Sequence, residues 1–315
     1  MKNRRLIIGS RSSKLAMAQT QYVMDRMKGF YPAWYFEIKT IKTVGDKIPD
    51  VSLSKIGDRG LFTKEIEEAL LRREVDIAVH SMKDLPTKLP RGLKIAAVTK
   101  REDFRDVLVS KEGFTIKTLP KNSKIGTSSL RRRAQLLYKR QDLDVLNLRG
   151  NLDTRLRKLD DGLYDAIMLA YAGIKRLGLA LNMSVISVED MLPQAGQGAL
   201  GIEVHKDAKK TDNLVKALDD ADSHLSVDAE RALLAGLEGG CQVPIGVYAR
   251  IKGNSISIKA GLFSLDGRRV VRDEIMGLKK DAGPLGRQLA EKILKGEAAR
   301  RILDEVKEGM RRGSW

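Results

Sequence analysis

The sequence predicts an α/β protein: two α/β domains around a cleft, followed by a smaller α+β domain at the C-terminal end. Three observations carry this reading. Short apolar or β-branched runs alternate with stretches of helical period from residue 4 to residue 204, the pattern of a layered α/β sheet. A glycine-rich stretch at 194–201 opens a further apolar run at 199–204, placed to carry the chain back into the first domain. Beyond Cys241 the apolar period changes to two, over 247–252, 255–262 and 269–276, which marks an antiparallel sheet.

Residues 4–9 form a short buried strand ending on glycine. Ser12 or Ser13 is placed to cap a helix whose apolar positions Leu15, Ala16, Ala18, Val23, Met24 and Met27 follow the helical period. Residues 35–44 read as a strand. The segment 45–60 carries Gly45, Pro49, Gly57 and Gly60 among charges and reads as a long functional loop. An amphipathic helix follows over 61–74, and 76–80 has the form of a buried parallel strand. That strand feeds the turn Ser81-Met82-Lys83-Asp84-Leu85-Pro86, and 93–98 is the next strand. A second cycle places strands at 106–110, 123–126, 143–148 and 165–170. Its helices run from Ser128 or Ser129 to about residue 140, over 151–159 and over 171–177. The chain thus crosses between domains near 98–105 and 194–199, which makes a hinge beside the cleft. Residues 223–237 are helical, Asp266-Gly267 signals a hairpin, and two basic amphipathic helices close the chain. The domain boundaries are 1–98 with 199–217, then 99–198, then 218–315.

Composition narrows the function. The 315 residues are 42% hydrophobic and 31% charged, enough for several cores and against global disorder. No apolar run reaches the ~18–20 residues of a membrane span. Leu6-Ile7-Ile8 falls short of the roughly 7–15 apolar residues of a secretory signal, so a cytoplasmic protein is expected. The single cysteine excludes an internal disulfide and a cysteine-rich zinc site. His80, His205 and His224 lack metal-ligand spacing, so no metal is expected. Fifty-eight Lys and Arg stand against 41 Asp and Glu, a net charge of +17. Such a field attracts polyanions, whether nucleic acid or a small carboxylated substrate. Aromatics at 5% give little material for stacking bases.

Cys241 lies in Glu238-Gly239-Gly240-Cys241-Gln242-Val243-Pro244. A lone cysteine is ordinarily a small buried hydrophobe. The two preceding glycines and the following proline instead describe an exposed, conformationally special loop. No histidine in sequence lies nearer than His224, so an attachment point for a covalent group fits better than a Cys–His nucleophile. Asp84 ends a buried strand at the sheet edge where α/β proteins place their sites, with Ser81 and Lys83 beside it. Alone, an Asp-Leu-Pro turn would read as a cap; the cations give it context. Arg131, Arg132 and Arg133 open a helix just after Gly126-Thr127-Ser128-Ser129, a start suited to anions. Arg149 and Arg155 flank another strand-to-helix turn, Arg11 and Lys14 flank the first, and Arg176 ends a later helix. Lys139, Arg140 and Arg157 suit a solvated helix face. Arginines at the turns converge on the cleft, where guanidinium forks suit carboxylates.

These features fall within longer recognisable segments. They are Ile8-Gly9-Ser10-Arg11-Ser12-Ser13-Lys14-Leu15-Ala16, Gly60-Leu61-Phe62-Thr63-Lys64-Glu65 and Asp76-Ile77-Ala78-Val79-His80-Ser81-Met82-Lys83-Asp84-Leu85-Pro86. Further along come Ile125-Gly126-Thr127-Ser128-Ser129-Leu130-Arg131-Arg132, Leu148-Arg149-Gly150-Asn151, Gln194-Ala195-Gly196-Gln197-Gly198-Ala199-Leu200 and Gly239-Gly240-Cys241-Gln242-Val243-Pro244. In this order they resemble the hydroxymethylbilane synthase (porphobilinogen deaminase) family over essentially the whole chain. The resemblance implies two periplasmic-binding-protein-like α/β domains and a transferase that condenses four porphobilinogens head to tail with loss of ammonia. It implies a dipyrromethane cofactor held as a thioether on Cys241, with Asp84 as the catalytic carboxylate. Ser81, Lys83, Thr127, Ser128, Ser129, Arg131 and Arg132 would hold the cofactor. Arg11, Ser13, Gln19, Phe62, Arg149, Arg155 and Arg176 would receive substrate, and 45–60 would be a mobile lid. Each pyrrole bears two carboxylates, which accounts for arginines in number. The expected partner is porphobilinogen alone, acting on a monomer, with no obligate protein partner, no membrane and no functional nucleic acid.

Two other readings remain at this stage. A two-domain anion sensor of periplasmic-binding-protein architecture would give Cys241 no role. A nucleic-acid-binding protein would show steep salt dependence. Neither accounts for Asp84 and Cys241 together.

Overall fold

The computed structural model describes residues 4–43, 63–237 and 243–312. They fall into two compact units: 4–43, 63–102 and 198–224 in the first, and 103–197, 225–237 and 243–312 in the second.

The first unit is built on a five-stranded sheet. Leu6 and Ile8 are buried along β1 (Arg5–Ser10). Ser13 then caps α1 (Lys14–Phe30), its hydroxyl accepting the Ala16 N–H at 3.3 Å. Val23, Met24 and Met27, spaced at helical period, press onto Leu6, Ile8 and Ile77. Burying each such side chain contributes roughly 1.5–3 kcal/mol. Next come β2 (Tyr35–Thr40), α2 (Lys64–Leu71), β3 (Ile77–Ser81) and β4 (Leu93–Val98). The expected return of the chain occurs: β10 (Leu200–His205) enters between β3 and β4. β1 runs parallel to β2 and β3, whereas β10 is antiparallel to both its neighbours. The sheet is therefore mixed. Helix α6 (Lys209–Val215) follows, and among its residues only Val215 is buried.

The second unit repeats the plan. Its strands β5 (Asp106–Ser110), β6 (Lys124–Gly126), β7 (Asp144–Leu146), β8 (Ala166–Ala170) and β9 (Met183–Val185) lie in the order β7-β6-β8-β5-β9. β6 pairs parallel with β7 and β8, and β5 pairs antiparallel with β8 and β9. Each sheet has one strand running against the rest: β10, which returns across a crossing, in the first, and β5, which opens the second unit, in the second. Three helices follow strands: α3 (Leu130–Lys139), α4 (Leu152–Asp160) and α5 (Tyr171–Arg176).

The same unit contains the C-terminal α+β region. Helix α7 (Ala221–Gly236) leads into it. There β11 (Ile245–Lys252), β12 (Ser255–Phe263) and β13 (Val270–Leu278) form an antiparallel sheet, followed by α8 (Ala282–Lys295) and α9 (Glu297–Arg312). Val247, Ala249, Ile258, Ala260 and Leu262 meet Leu233, Leu289, Ile293 and Ile302 in one core. The β12–β13 hairpin turns at Asp266-Gly267, where Gly267 takes φ +69° and a Cβ would collide with Leu137 and Tyr138.

Among the described residues the chain passes between the two units at 102, 197 and 224. Hydrogen bonds within the first unit join its segments. Val98 N–H donates to Asp219 Oδ1 at 2.7 Å, Arg101 N–H to Ser223 Oγ at 2.9 Å, and Glu102 N–H to the Gly198 carbonyl at 3.1 Å.

Candidate functional site

The first unit carries a pocket at the ends of β1 and β3. β3 is buried until Ser81, and a single 3₁₀ turn, Met82–Asp84, then swings Asp84 outward. Met82 plugs the turn into the core. Gly201 on β10 makes room for it, since a Cβ there would overlap the Met82 sulfur. Leu85 is buried behind the turn. The pocket is lined by Arg11, Ser13, Leu15, Ala16 and Gln19 on one side and by Thr63, Val79, His80, Ser81 and Asp84 on the other. Gln19 Nε2 donates to Ser81 Oγ at 3.0 Å, tying helix α1 to the end of β3. The carboxylate of Asp84 is exposed, ready for a cationic or N–H-bearing guest.

Five of the residues singled out by sequence meet here: Arg11, Ser13, Gln19, Ser81 and Asp84. Lys83, half-buried, is not part of this lining. The lining residues His80 and Thr63 had no sequence signal as site residues, because each sits in a run that reads as plain strand or helix start. Phe62, Cys241 and the loop 45–60 lie outside the described residues.

The second unit gathers cations at strand-to-helix turns. Ser129 caps α3, accepting the Arg132 N–H, and Thr127 Oγ1 accepts the Ser129 N–H at 3.2 Å. Ser128 is half-buried. Arg131 and Arg132 are buried rather than presented to solvent, and both reach one fully buried anion, Asp106 at the start of β5. Arg131 Nη1 lies 2.6 Å from Asp106 Oδ2, and Arg132 Nη2 lies 2.8 Å from Oδ1. Gln197 Nε2 donates to the same Oδ1 at 3.0 Å. Arg131 and Arg132 also donate to the carbonyls of Leu192 and Met168. Burial would push the Asp106 carboxyl up, but the two guanidiniums and the hydrogen bonds from Arg131 and Gln197 outweigh it and hold it well below the usual carboxylate range. Burial in turn lowers the Arg131 guanidinium, with Asp106 opposing.

Two buried cations thus face one anion. Arg131 Nε and Nη2 are buried and have no hydrogen-bond partner among the described residues. A carboxylate is the ligand that would satisfy them, with bidentate geometry available. The sequence pointed to the arginines but not to Asp106, 25 residues upstream, which reads as the opening residue of a strand.

Arg149 and Arg155 bracket the β7–α4 turn. Gly150 takes φ +107°, and Asn151 caps α4 by accepting the Thr154 N–H at 2.9 Å. Arg155 Nε donates to the Gly150 carbonyl at 2.8 Å, which sets its side chain along the turn. Arg149, Arg155 and Arg176 are each half-buried. Among the described residues no group of His, Cys, Asp and Glu could hold a metal ion, and no helix is long and apolar enough to cross a membrane.

Residues 6–213 match the family model described as porphobilinogen deaminase, dipyromethane cofactor binding domain, and residues 224–295 match the porphobilinogen deaminase C-terminal domain. The chain is 48% identical over 303 residues to the porphobilinogen deaminase of Carboxydothermus hydrogenoformans, covering 96% of this chain and 97% of the relative. It is 49% identical over 306 residues to that of Pelotomaculum thermopropionicum, covering 96% and 98%. It is 46% identical over 307 residues to that of Chloroherpeton thalassium, again covering 96% and 98%. Among solved structures, the periplasmic aliphatic sulphonate binding protein of Escherichia coli aligns with a TM-score of 0.41 at 15% identity, over 76% of this chain and 73% of that one.

Proposed function

The chain belongs to the porphobilinogen deaminase family, and from that premise we propose how its own residues divide the work. The reaction is the hydroxymethylbilane synthase step of tetrapyrrole biosynthesis. Four porphobilinogens are joined head to tail with loss of ammonia, and the linear tetrapyrrole is released by hydrolysis. The enzyme is a transferase carrying a dipyrromethane cofactor.

The observation that carries the assignment is the Asp84 pocket: one exposed carboxylate at a strand end, with Arg11, Ser13, Gln19 and Ser81 around it. Departure of ammonia from the aminomethyl carbon leaves a cation on the pyrrole. Asp84 stabilises that charge and accepts hydrogen bonds from pyrrole N–H groups. Arg11, with Ser13 and Gln19, receives the substrate's acetate and propionate. Arg149, Arg155, Arg176 and Phe62 serve the incoming or growing chain.

Cys241 anchors the cofactor as a thioether. The unpartnered Nε and Nη2 of Arg131 fit a cofactor that brings carboxylates, and Arg132, Lys83, Thr127, Ser128 and Ser129 complete its cradle. When bound, the dipyrromethane would supply the free pyrrole α-carbon to which each new unit is joined. The Asp106 cluster keeps both guanidiniums rigid before any anion arrives.

The C-terminal residues 218–315 act as a third domain bearing the attachment point. The chain works as a monomer in the cytoplasm without an obligate protein partner. Intact mass with peptide mapping tests the anchor. Holoenzyme should carry the dipyrromethane mass on the peptide containing Cys241, and active enzyme with an unmodified Cys241 would end this reading.

A further inference from the structure

Behind the pocket lie three buried titratable side chains that the roles above leave unused. His80 on β3 and Glu203 on β10 share a sheet face, because Glu203 stands opposite Ala78 and Gly201 opposite His80. Helix α2 covers that face with Ile66 against Ala78, and contributes Glu67. His80 Nε2 lies 3.1 Å from Glu203 Oε2, with the two side chains 4% and 0% exposed. Among the described residues neither oxygen of Glu203 has a well-aligned hydrogen-bond partner, and the same holds for His80 Nε2 and Glu67 Oε1. Among the described residues, His80 Nε2 and the Glu203 carboxylate face each other. Burial pushes the Glu67 carboxyl up and Glu203 adds to that, while Thr63 and His80 pull the other way. Other charged groups on the surrounding elements include Arg11 after β1, Lys64, Glu65 and Glu68 on α2, Lys83 and Asp84 after β3, and Lys94 on β4. His80 and Thr63 are walls of the Asp84 pocket, so this cluster reaches the site from within.

A buried carboxylate with no other donor is too costly to leave ionised alone. A proton on His80 Nε2, facing Glu203 Oε2 at 3.1 Å as imidazolium beside carboxylate, would leave the pair neutral. Packing alone would be served as well by two apolar residues.

We propose that the Glu203–His80 pair, backed by Glu67, is a proton-holding positioning unit for Asp84. It fixes the imidazole with a proton on Nε2 toward Glu203 and keeps the inner wall of the pocket neutral, so that the negative charge of the pocket stays on Asp84. The proposal rests on Asp84 as the catalytic carboxylate. Neither His80 nor Glu203 is asked to touch substrate.

Nitrogen-15 spectra of the imidazoles in holoenzyme test the pair apart from catalysis. The chain has three histidines, and His80→Gln assigns its signal by loss. A protonated Nε2 is expected in the wild type, with a changed ring signal in Glu203→Gln. An unprotonated Nε2 in the wild type overturns the proposal even should Glu203→Gln fail to fold. So does a ring signal untouched by that substitution. Kinetically, Glu203→Gln should lower kcat roughly 10- to 100-fold, the loss typical for an outer partner of a functional group, with KM nearly unchanged. The pH profile of kcat should change, and Glu203→Asp should restore its shape. A wild-type profile and rate in Glu203→Gln count against it. If Asp84→Asn keeps its turnover, the Asp84 assignment fails instead, and the imidazole spectra still judge the pair.

Discussion

Asp84 and Asp106 are both aspartates at the edge of a strand of a five-stranded sheet, one just after it and one at its start, and they live in opposite surroundings. Asp84 follows β3 on a single 3₁₀ turn, exposed on a pocket wall. Asp106 opens β5, wholly buried and gripped by two guanidiniums and a glutamine amide. The contrast separates two uses of one side chain. A carboxylate left in reach of solvent adds little to stability and can act on whatever arrives. A carboxylate closed inside a cluster fixes its neighbours and takes no part in chemistry.

The largest expected effect falls on Asp84. Asp84→Asn keeps shape and removes charge, and should lower kcat by roughly 10²–10⁴-fold, the range for a general acid or base. Thermal unfolding should be unchanged. A fall in melting temperature matching the loss of activity would break the comparison.

Asp106→Asn should do the reverse. Breaking a buried pair costs about 3–5 kcal/mol. At about 2–4 °C per kcal/mol for a chain of this size, the melting temperature should drop on the order of 10 °C. The pH dependence sharpens the point. Asp106 is depressed in the folded state, so its contribution is complete above the unfolded carboxylate range. It is lost as pH falls through that range toward the lower folded value. Asp106→Asn should flatten this acid-side loss of stability in a pH series of melting curves.

Within the second unit the arginines should divide. Arg131→Gln removes the donors left open inside the cluster and should yield protein without cofactor. Arg149→Gln should keep the cofactor and stall elongation. Intact-mass ladders after brief exposure to porphobilinogen distinguish these outcomes, and identical ladders would erase the division.

The smallest effect concerns the +17 charge. Exposed charges are screened beyond ~8–10 Å at physiological ionic strength, so salt should raise the KM for porphobilinogen moderately and leave kcat almost level. Tight, competing binding of duplex DNA at moderate salt would reassign that charge to nucleic acid.

What the sequence disclosed follows physical range. The helix starts at Ser12 or Ser13 and at Ser128 or Ser129, resolved to Ser13 and Ser129, and the turn at Ser81–Pro86 are local and were legible, because a cap or a proline stop acts within a few residues. The strand 93–98 and the strand 106–110 match the structure residue for residue, since each is one apolar run. Two elements escaped. β9 has three residues, with Ser184 at its centre and no residue buried. Helix α6 is mostly polar and buries only Val215, so it shows no apolar stripe. The partners Asp106 and Gln197 for the arginines, and Glu203 for His80, depend on strand order. No local pattern announces which strands will lie side by side.

The returning strand β10 also sets an order of events during synthesis. The second sheet has all its strands once residue 185 has left the ribosome, whereas the first waits for residue 205. Until then β3 and β4 lack the strand that belongs between them, and two rows of backbone N–H and C=O groups stand open. A nascent chain in that state offers sticky edges to other chains, so stalling between these points invites aggregation. The part of the molecule that carries Asp84 is therefore the last of the two sheets to close, although it is translated first.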